Sequence, residues 1–79
     1  MAEAAFLVVE VLSKDDKTPD VLEKLAEYCQ KGVPNIWLMN PRRQTMYVYE
    51  DGDLSLVRGD VICTEDRMIE LHRTEIFKD

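Results

Sequence analysis

The chain has 79 residues and a hydrophobic content of 46%, which predicts one folded domain over residues 1–79 and excludes a disordered chain. Its net charge of −6, from 16 acidic and 10 basic residues, argues against broad non-specific binding to nucleic acid, although it leaves room for a local basic site. No apolar run approaches the roughly 20 residues of a membrane span, and the N-terminus carries Glu3 and no basic segment, so we expect a cytoplasmic protein with no membrane contact.

The first predicted element is a strand over about residues 5–12, which follows a frayed end at residues 1–4. Its apolar run is typical of a strand buried on both faces, and we expect it to be the centre of the fold. Alternation places Glu10 on the same face as Val8 and Leu12. Because an ionised carboxylate is costly to bury alone, we expect Glu10 to be protonated, paired, bound to a metal, or at an edge open to water.

A helix is predicted after the polar loop of residues 13–17. Thr18 supplies an N-cap hydroxyl, and Pro19 suits the first helical position. An apolar stripe follows at helical spacing, formed by Leu22, Leu25, Ala26 and Cys29. Gly32 is predicted to end the helix, because glycine is favoured just after the last helical turn.

The rest of the chain is predicted to be mostly strands. The expected elements are strands at 35–39, 45–50, 54–57, 61–63 and 68–71 and a last helical turn at 73–77. The strand at 35–39 should run parallel to the first strand, because a helix connects them. Asp51-Gly52 predicts a tight hairpin. The predicted fold class is therefore α/β (α+β): a mixed sheet with a βαβ unit followed by antiparallel hairpins, and one main helix.

Few residues have the spacing of known catalytic or metal sites. His72 is the single histidine of the chain, so a multi-histidine metal site is excluded within one chain, and a surface or structural role is predicted. Cys29 and Cys63 lack Cys-x-x-Cys spacing and are predicted to be two small buried hydrophobic residues. No glycine-rich phosphate-binding loop is present in the sequence.

Glu10 and Lys24 are the remaining candidates for chemistry. Lys24 lies on a flank of the predicted helix with Val21 and Tyr28, from which its long stem can bring the amine towards the first strand. The alternative for Lys24 is an i, i+4 ion pair with Asp20 on the helix surface. The alternative for Glu10 is an acid that is exposed at an edge or simply paired.

Six short motifs follow one another along the chain in an order that is typical of one family. They are Val8–Ser13, Glu23–Tyr28, Lys31–Pro41, Thr45–Tyr49, Gly59–Ile62 and Glu75–Phe77. In this order they resemble the Uma-type endonucleases, a branch of the PD-(D/E)xK nuclease superfamily. The resemblance covers essentially the whole chain and implies a restriction-endonuclease-like fold.

The resemblance implies a metal-dependent nuclease site, in which an Asp and a Glu on adjacent strands bind Mg²⁺ or Mn²⁺ and a lysine assists. Carried over to this chain, Glu10 is the strand carboxylate and metal ligand, and Lys24 is the lysine from the following helix. Leu12 stands where the usual lysine of the superfamily lies. Family members carry the Asp on a strand before the Glu strand, and the resemblance gives that Asp no position in this chain.

The resemblance therefore predicts a single truncated nuclease-like domain over residues 1–79. We expect it to be non-catalytic, to need no cofactor, and to act through a second copy or a protein partner that covers an exposed apolar edge. The alternative is a DNA endonuclease, dependent on Mg²⁺ or Mn²⁺, whose site is completed across an oligomer. DNA is compatible with the family but is not favoured by the net charge.

Overall fold

The computed structural model describes residues 6–14 and 17–77. The elements are β1 (Leu7–Val11), α1 (Thr18–Gln30), β2 (Asn35–Asn40), β3 (Thr45–Glu50), β4 (Asp53–Leu56), β5 (Val61–Cys63), β6 (Glu70–His72) and α2 (Arg73–Ile76). The predicted frayed end at residues 1–4 lies outside the described residues, as do Asp15 and Asp16 of the predicted loop.

Four strands form one mixed sheet in the order β1-β2-β3-β4, and β5 and β6 form a separate two-stranded sheet. β1 runs parallel to β2, and the pairs β2–β3 and β3–β4 are antiparallel. The helix α1 connects the two parallel strands. The predicted mixed sheet with a βαβ unit, antiparallel hairpins and one main helix is therefore confirmed.

The prediction that the first strand is buried on both faces is wrong. β1 is one of the two edge strands of the four-stranded sheet, and Val9 and Val11 are 40% and 57% exposed. The strand that is buried on both faces is β2, where all residues from Asn35 to Met39 are buried. β2 is covered because it has a strand on each side and packed side chains on each face, whereas β1 has a neighbour on one side within the described residues.

Leu25, Ala26 and Cys29 of the predicted stripe pack in the cluster under α1, and Val21 takes the place predicted for Leu22. Val21 and Leu25 are buried against the sheet, whereas Leu22 is exposed, so its predicted place in the stripe is wrong. Thr18 is the first helical residue and Lys17 the N-cap, so the predicted capping position is also wrong by one residue. The first difference follows from the tertiary contact, because the packing against β2 selects which face of the helix is buried.

The C-terminus of α1 has the predicted glycine stop. Gly32 has a φ of 86°, its N–H donates to the Cys29 carbonyl at 3.0 Å, and the Val33 N–H donates to the Tyr28 carbonyl at 3.1 Å. This pair of hydrogen bonds is the Schellman motif, which requires the left-handed conformation that glycine adopts without strain. Val33 and Tyr28 also belong to the same apolar cluster, which fixes the path from helix to β2.

Two apolar clusters lie on opposite faces of the four-stranded sheet. The cluster under α1 is built from the buried residues Val21, Leu25, Val33, Ile36, Leu38 and Tyr49. The cluster on the other face is built from the buried residues Trp37, Met39, Met46 and Ile62. Ile76 and Phe77 pack against this second cluster, as predicted for the last helical turn. The β5–β6 ribbon and α2 therefore cover the face that α1 leaves open.

The β3–β4 hairpin confirms the predicted tight turn at Asp51-Gly52. The two residues have φ values of 50° and 86°, and Glu50 pairs with Asp53 directly across the turn. Positive φ at both central positions matches the right-handed twist of the flanking strands.

The β5–β6 ribbon differs from the prediction in two ways. The last strand is Glu70–His72 and not 68–71, because residues 64–69 form a turn that leaves Met68 exposed. Cys63 is exposed and Cys29 half-buried, so the prediction of two buried cysteines is wrong for Cys63. The reason is alternation: Ile62 points into the apolar cluster, and its neighbour Cys63 points outward.

Candidate functional site

Glu10 is the fourth of the five residues of β1 and lies directly beside Leu38 of β2. It shares the α1 side of the sheet with Val8 and Leu12, which pack against the cluster under the helix. Its side chain is 22% exposed. Of the four states expected for this acid, the structure shows a paired carboxylate on an edge strand.

Lys24 approaches Glu10 from α1. Its Nζ lies 3.9 Å from Glu10 Oε1, and its side chain is 58% exposed. Lys24 shares a flank of α1 with Val21 and Tyr28, which pack in the same apolar cluster as the neighbours of Glu10 on its face of β1. Among the described residues Lys24 forms no ion pair with Asp20, so the alternative surface pair is not observed.

The Glu10–Lys24 contact is electrostatic and long. A distance of 3.9 Å exceeds that of a normal hydrogen bond. Exposed ion pairs of this kind contribute up to about 1 kcal/mol to stability. The pair therefore places a carboxylate and an ammonium group together at the edge of the sheet, without a large energetic role in folding.

The residues around Glu10 do not fit a bound divalent cation. Within residues 6–14 and 17–77, no group of three His, Cys, Asp or Glu side chains is placed to hold a metal ion. Mg²⁺ requires near-octahedral oxygen coordination, usually with one or two carboxylates together with water and substrate phosphate. Glu10 supplies one carboxylate, which leaves nearly all of the coordination shell to water, so the described residues do not by themselves form a metal site.

His72 and Cys63 lie away from Glu10, on the β5–β6 ribbon. The side chain of His72 is half exposed, and its Nε2 lies 3.5 Å from Glu70 Oε1, which fits the predicted surface role. Cys29 and Cys63 are both free thiols.

The turn after β5 is held by a carboxylate that the sequence did not single out. Asp66 Oδ1 accepts hydrogen bonds from the Thr64 hydroxyl at 2.7 Å and from the Met68 N–H at 3.0 Å. These bonds favour the ionised form, with the Met68 N–H as the larger cause, and they hold the pKa of Asp66 below its usual value.

A buried amide connects this turn to the first strand. Asn35 at the start of β2 is buried; its Nδ2 donates to the Phe6 carbonyl at 3.2 Å, and its Oδ1 accepts from the Glu65 N–H at 3.0 Å. An Asn beside a run of apolar strand residues is a signal that sequence reasoning missed. Its position explains how β1, β2 and the β5–β6 ribbon are held in one arrangement.

Comparisons with known proteins agree with this fold. The structure is similar to the crystal structure of a putative nuclease belonging to DUF820 from Anabaena variabilis, with a TM-score of 0.79 and 20% sequence identity. The similarity covers 96% of this chain and 45% of that chain, so this chain spans less than half the length of that protein. At this level of identity the similarity shows the fold alone. No curated protein sequence matches the chain.

The family of the chain follows from its sequence. A profile of the Uma2 family, described as Putative restriction endonuclease, matches residues 1–75. The predicted resemblance to Uma-type endonucleases is thereby confirmed. In the described part of the chain, α1 and α2 are both too short or too polar to cross a membrane. Because the profile match covers nearly the whole sequence, the chain belongs to the Uma2 family of putative restriction endonucleases.

Proposed function

We propose that this chain is a nuclease-like module that is non-catalytic by itself and acts through protein association at β1, with a second copy as its expected partner. The observation that carries the proposal is the state of β1. It is an edge strand, Val9 and Val11 on it are 40% and 57% exposed, and Glu10 between them has Lys24 as its one ionic partner among the described residues.

The edge of β1 favours pairing with another strand. An edge strand presents unpaired N–H and C=O groups, and proteins usually protect such an edge with charged side chains, Pro, a bulge or a cover. β1 reads Leu-Val-Val-Glu-Val; it contains neither Lys nor Pro, and its one charged residue, Glu10, is paired with Lys24. Addition of a strand satisfies these backbone groups and buries Val9 and Val11.

The donor set around Glu10 supports the proposal that the single chain does not cleave DNA. One carboxylate and one ammonium group are in place, and among the described residues no group of three or more His, Cys, Asp or Glu side chains is placed to hold a metal ion. A hard cation held by a single carboxylate binds weakly, because most of its coordination is left to water. No cofactor is therefore part of this proposal, and cytoplasmic localisation is a prediction that accompanies it.

A second candidate function is supported by the Glu10–Lys24 contact. The two residues that the family resemblance assigns to the nuclease site lie 3.9 Å apart in this fold. If a strand from another subunit brings a carboxylate to the edge of β1, Glu10 and that group together could hold Mg²⁺ or Mn²⁺. In this version the chain is a DNA endonuclease whose site is completed across the oligomer.

Incubation with supercoiled plasmid separates the two candidates. The chain is tested with EDTA, Mg²⁺ or Mn²⁺, alongside Glu10→Gln and Lys24→Ala, and Glu27→Gln serves as a matched exposed-acid control on α1. The lead proposal predicts intact plasmid in every lane. Metal-dependent nicking that Glu10→Gln and Lys24→Ala remove, and that Glu27→Gln retains, would overturn it and support the oligomeric endonuclease.

A further inference from the structure

β4 is the most exposed strand of the four-stranded sheet. All of its residues, Asp53–Leu56, are exposed, with Leu54 at 37% and Leu56 at 48%. It borders β3 on one side and has no strand on the other within residues 6–14 and 17–77. Leu54 and Leu56 stand opposite Tyr49 and Tyr47, which pack in the cluster under α1, so the two leucines point to the same side of the sheet. They therefore form an exposed apolar extension of that cluster.

The open hydrogen-bonding groups of β4 belong to Leu54 and Leu56. The Val57 N–H donates to the Met46 carbonyl at 2.9 Å, and the register places these two residues opposite each other, one step beyond Tyr47 and Leu56. Hydrogen-bonded and non-hydrogen-bonded pairs alternate along an antiparallel ladder, so the N–H and C=O groups of Leu54 and Leu56 point away from β3. No backbone hydrogen bond from another segment of the described chain reaches them. The edge therefore offers the backbone groups of both leucines to an added strand.

The two ends of β4 carry opposite charge. At its start, Glu50 and Asp53 lie directly opposite each other, and Asp51 lies in the turn between them. Like charges at opposed positions destabilise a strand pair, so a cation that binds here relieves their repulsion. Just beyond the other end of the strand, Arg58 is exposed. Neither these acids nor Arg58 forms an ion pair within residues 6–14 and 17–77. The edge therefore favours a segment with a base at one end and an acid at the other.

A further copy of this chain is the competing occupant, because the segment from Asp53 to Arg58 itself runs from an acid to a base. The proposed dimer uses β1, and it leaves one β4 at each outer edge of the joined sheet. If β4 also paired with another copy, the assembly would not close. A closed dimer therefore requires a different chain at β4, and this choice of occupant rests on the proposed function.

We infer that β4 binds an extended segment of another protein, which adds antiparallel to β4 at the edge of the sheet. Antiparallel pairing is slightly more stable per residue than parallel pairing. In this orientation the segment begins with an acid beside Arg58, continues with apolar residues opposite Leu56 and Leu54, and ends with a base opposite Asp53. β-branched side chains suit the apolar positions, because they pack well on a pleated surface. The partner class is thus a β-forming peptide with alternating apolar residues, an acidic start and a basic end.

Titration of the nitrogen-15-labelled chain with a capped peptide of about nine residues tests the inference. The core of the peptide reads Glu-Val-Thr-Val-Arg, and the matched control peptide, Arg-Val-Thr-Val-Glu, has the same composition with its charges exchanged. Nuclear magnetic resonance should show amide shifts at Leu54 and Leu56 with the first peptide. The control peptide should bind more weakly at low salt, because it brings like charges together. The difference should disappear at about 1 M salt, where the Debye length is about 3 Å.

Two variants of the chain separate the β4 edge from the β1 edge. Leu56→Lys should weaken binding of the first peptide by about tenfold or more, because it removes an apolar contact and places a charge on the edge. Val11→Lys makes the same change of charge on β1 and should bind the peptide as the unchanged chain does, whether or not it separates the dimer. Equal thermal unfolding of the variants separates a lost contact from lost folding.

The inference is overturned if the first peptide does not shift the β4 amides, if the two peptides bind equally at low salt, or if Leu56→Lys binds as tightly as the unchanged chain. A mass above that of two chains, reduced by Leu56→Lys, would assign β4 to a further copy and also overturn it. A single-chain mass with peptide binding intact would contradict the proposed dimer and support the peptide site.

Discussion

β1 and β2 are neighbouring parallel strands with similar apolar sequences, but their environments differ. In β2 every residue from Asn35 to Met39 is buried, and the strand has no charged residue. In β1 no residue is fully buried, and the strand carries Glu10. The comparison shows that the position of a strand within the sheet, and not its apolar content, decides whether its side chains are buried. The single carboxylate of this apolar strand lies at the edge of the sheet, where Lys24 and water can reach it.

The largest expected effect comes from Trp37, the buried aromatic residue of β2. Trp37→Ala removes the centre of the cluster under the β5–β6 ribbon and should lower the free energy of unfolding by about 3–5 kcal/mol. Val9→Ala, its partner in the β1–β2 register, should cost less than about 1 kcal/mol because Val9 is partly exposed. Urea unfolding measures both. Equal losses of unfolding free energy for the two variants would contradict the difference in burial between β1 and β2.

A smaller loss is expected for Asn35, which connects β1 to β2 and to the ribbon. Asn35→Ala leaves the Phe6 carbonyl and the Glu65 N–H without their side-chain partner and should cost about 1–3 kcal/mol. Asn40→Ala is the matched control, because Asn40 is an amide at the other end of β2 whose bonds lie in an exposed turn. Asn35→Ala should lose clearly more stability in urea than the control.

A double-mutant cycle on Glu10→Gln and Lys24→Met measures the pair that distinguishes β1. The coupling energy should be below about 1 kcal/mol, because Lys24 is exposed, Glu10 is partly exposed, and the two groups are 3.9 Å apart. It should decrease further in 0.5–1 M salt, which screens exposed charges, where roughly 1 M reduces the Debye length to about 3 Å. A coupling above about 2 kcal/mol would indicate a desolvated pair and a closed site.

The smallest expected effect is the pH dependence of folding stability that comes from Asp66, in the turn beside Asn35. Its folded-state pKa is below the unfolded value, so its stabilisation is present above about pH 4 and is lost as pH falls through the folded pKa. Asp66→Asn should remove this part of the pH dependence. Nuclear magnetic resonance titration of the Asp66 carboxyl checks the direction. A pKa at or above that of an unfolded chain would show that the hydrogen bonds from Met68 and Thr64 do not form in solution.

The sequence predicted the elements whose signals are local. The tight hairpin needs positive φ at both central positions, which Asp51-Gly52 adopts, and this dipeptide correctly predicted the hairpin. Gly32 in the same way predicted the end of α1. The flank that carries Lys24 was also predicted from spacing, and the structure brings Lys24 to Glu10. The catalytic role of these two residues stays a prediction.

The errors concern contacts between elements. The same apolar run is expected for a central strand and for a strand that borders one neighbour, so periodicity did not reveal that β1 is an edge. Leu22 and Val21 are adjacent on α1, and the packing against β2 decides which of them is buried. Whether Cys63 and Asn35 are buried depends on how the β5–β6 ribbon packs against the four-stranded sheet. The local sequence does not determine that packing.

The most direct test of the account is the mass in solution, measured by light scattering at micromolar concentration. We predict about twice the 9.2 kDa of one chain. Val11→Lys should return the protein to one chain, because a lysine on the exposed edge opposes strand pairing. Leu56→Lys on β4, the other edge strand, is 48% exposed before substitution and should leave the mass doubled. A single-chain mass for the unchanged protein, or a doubled mass that Val11→Lys does not alter, would contradict association through β1.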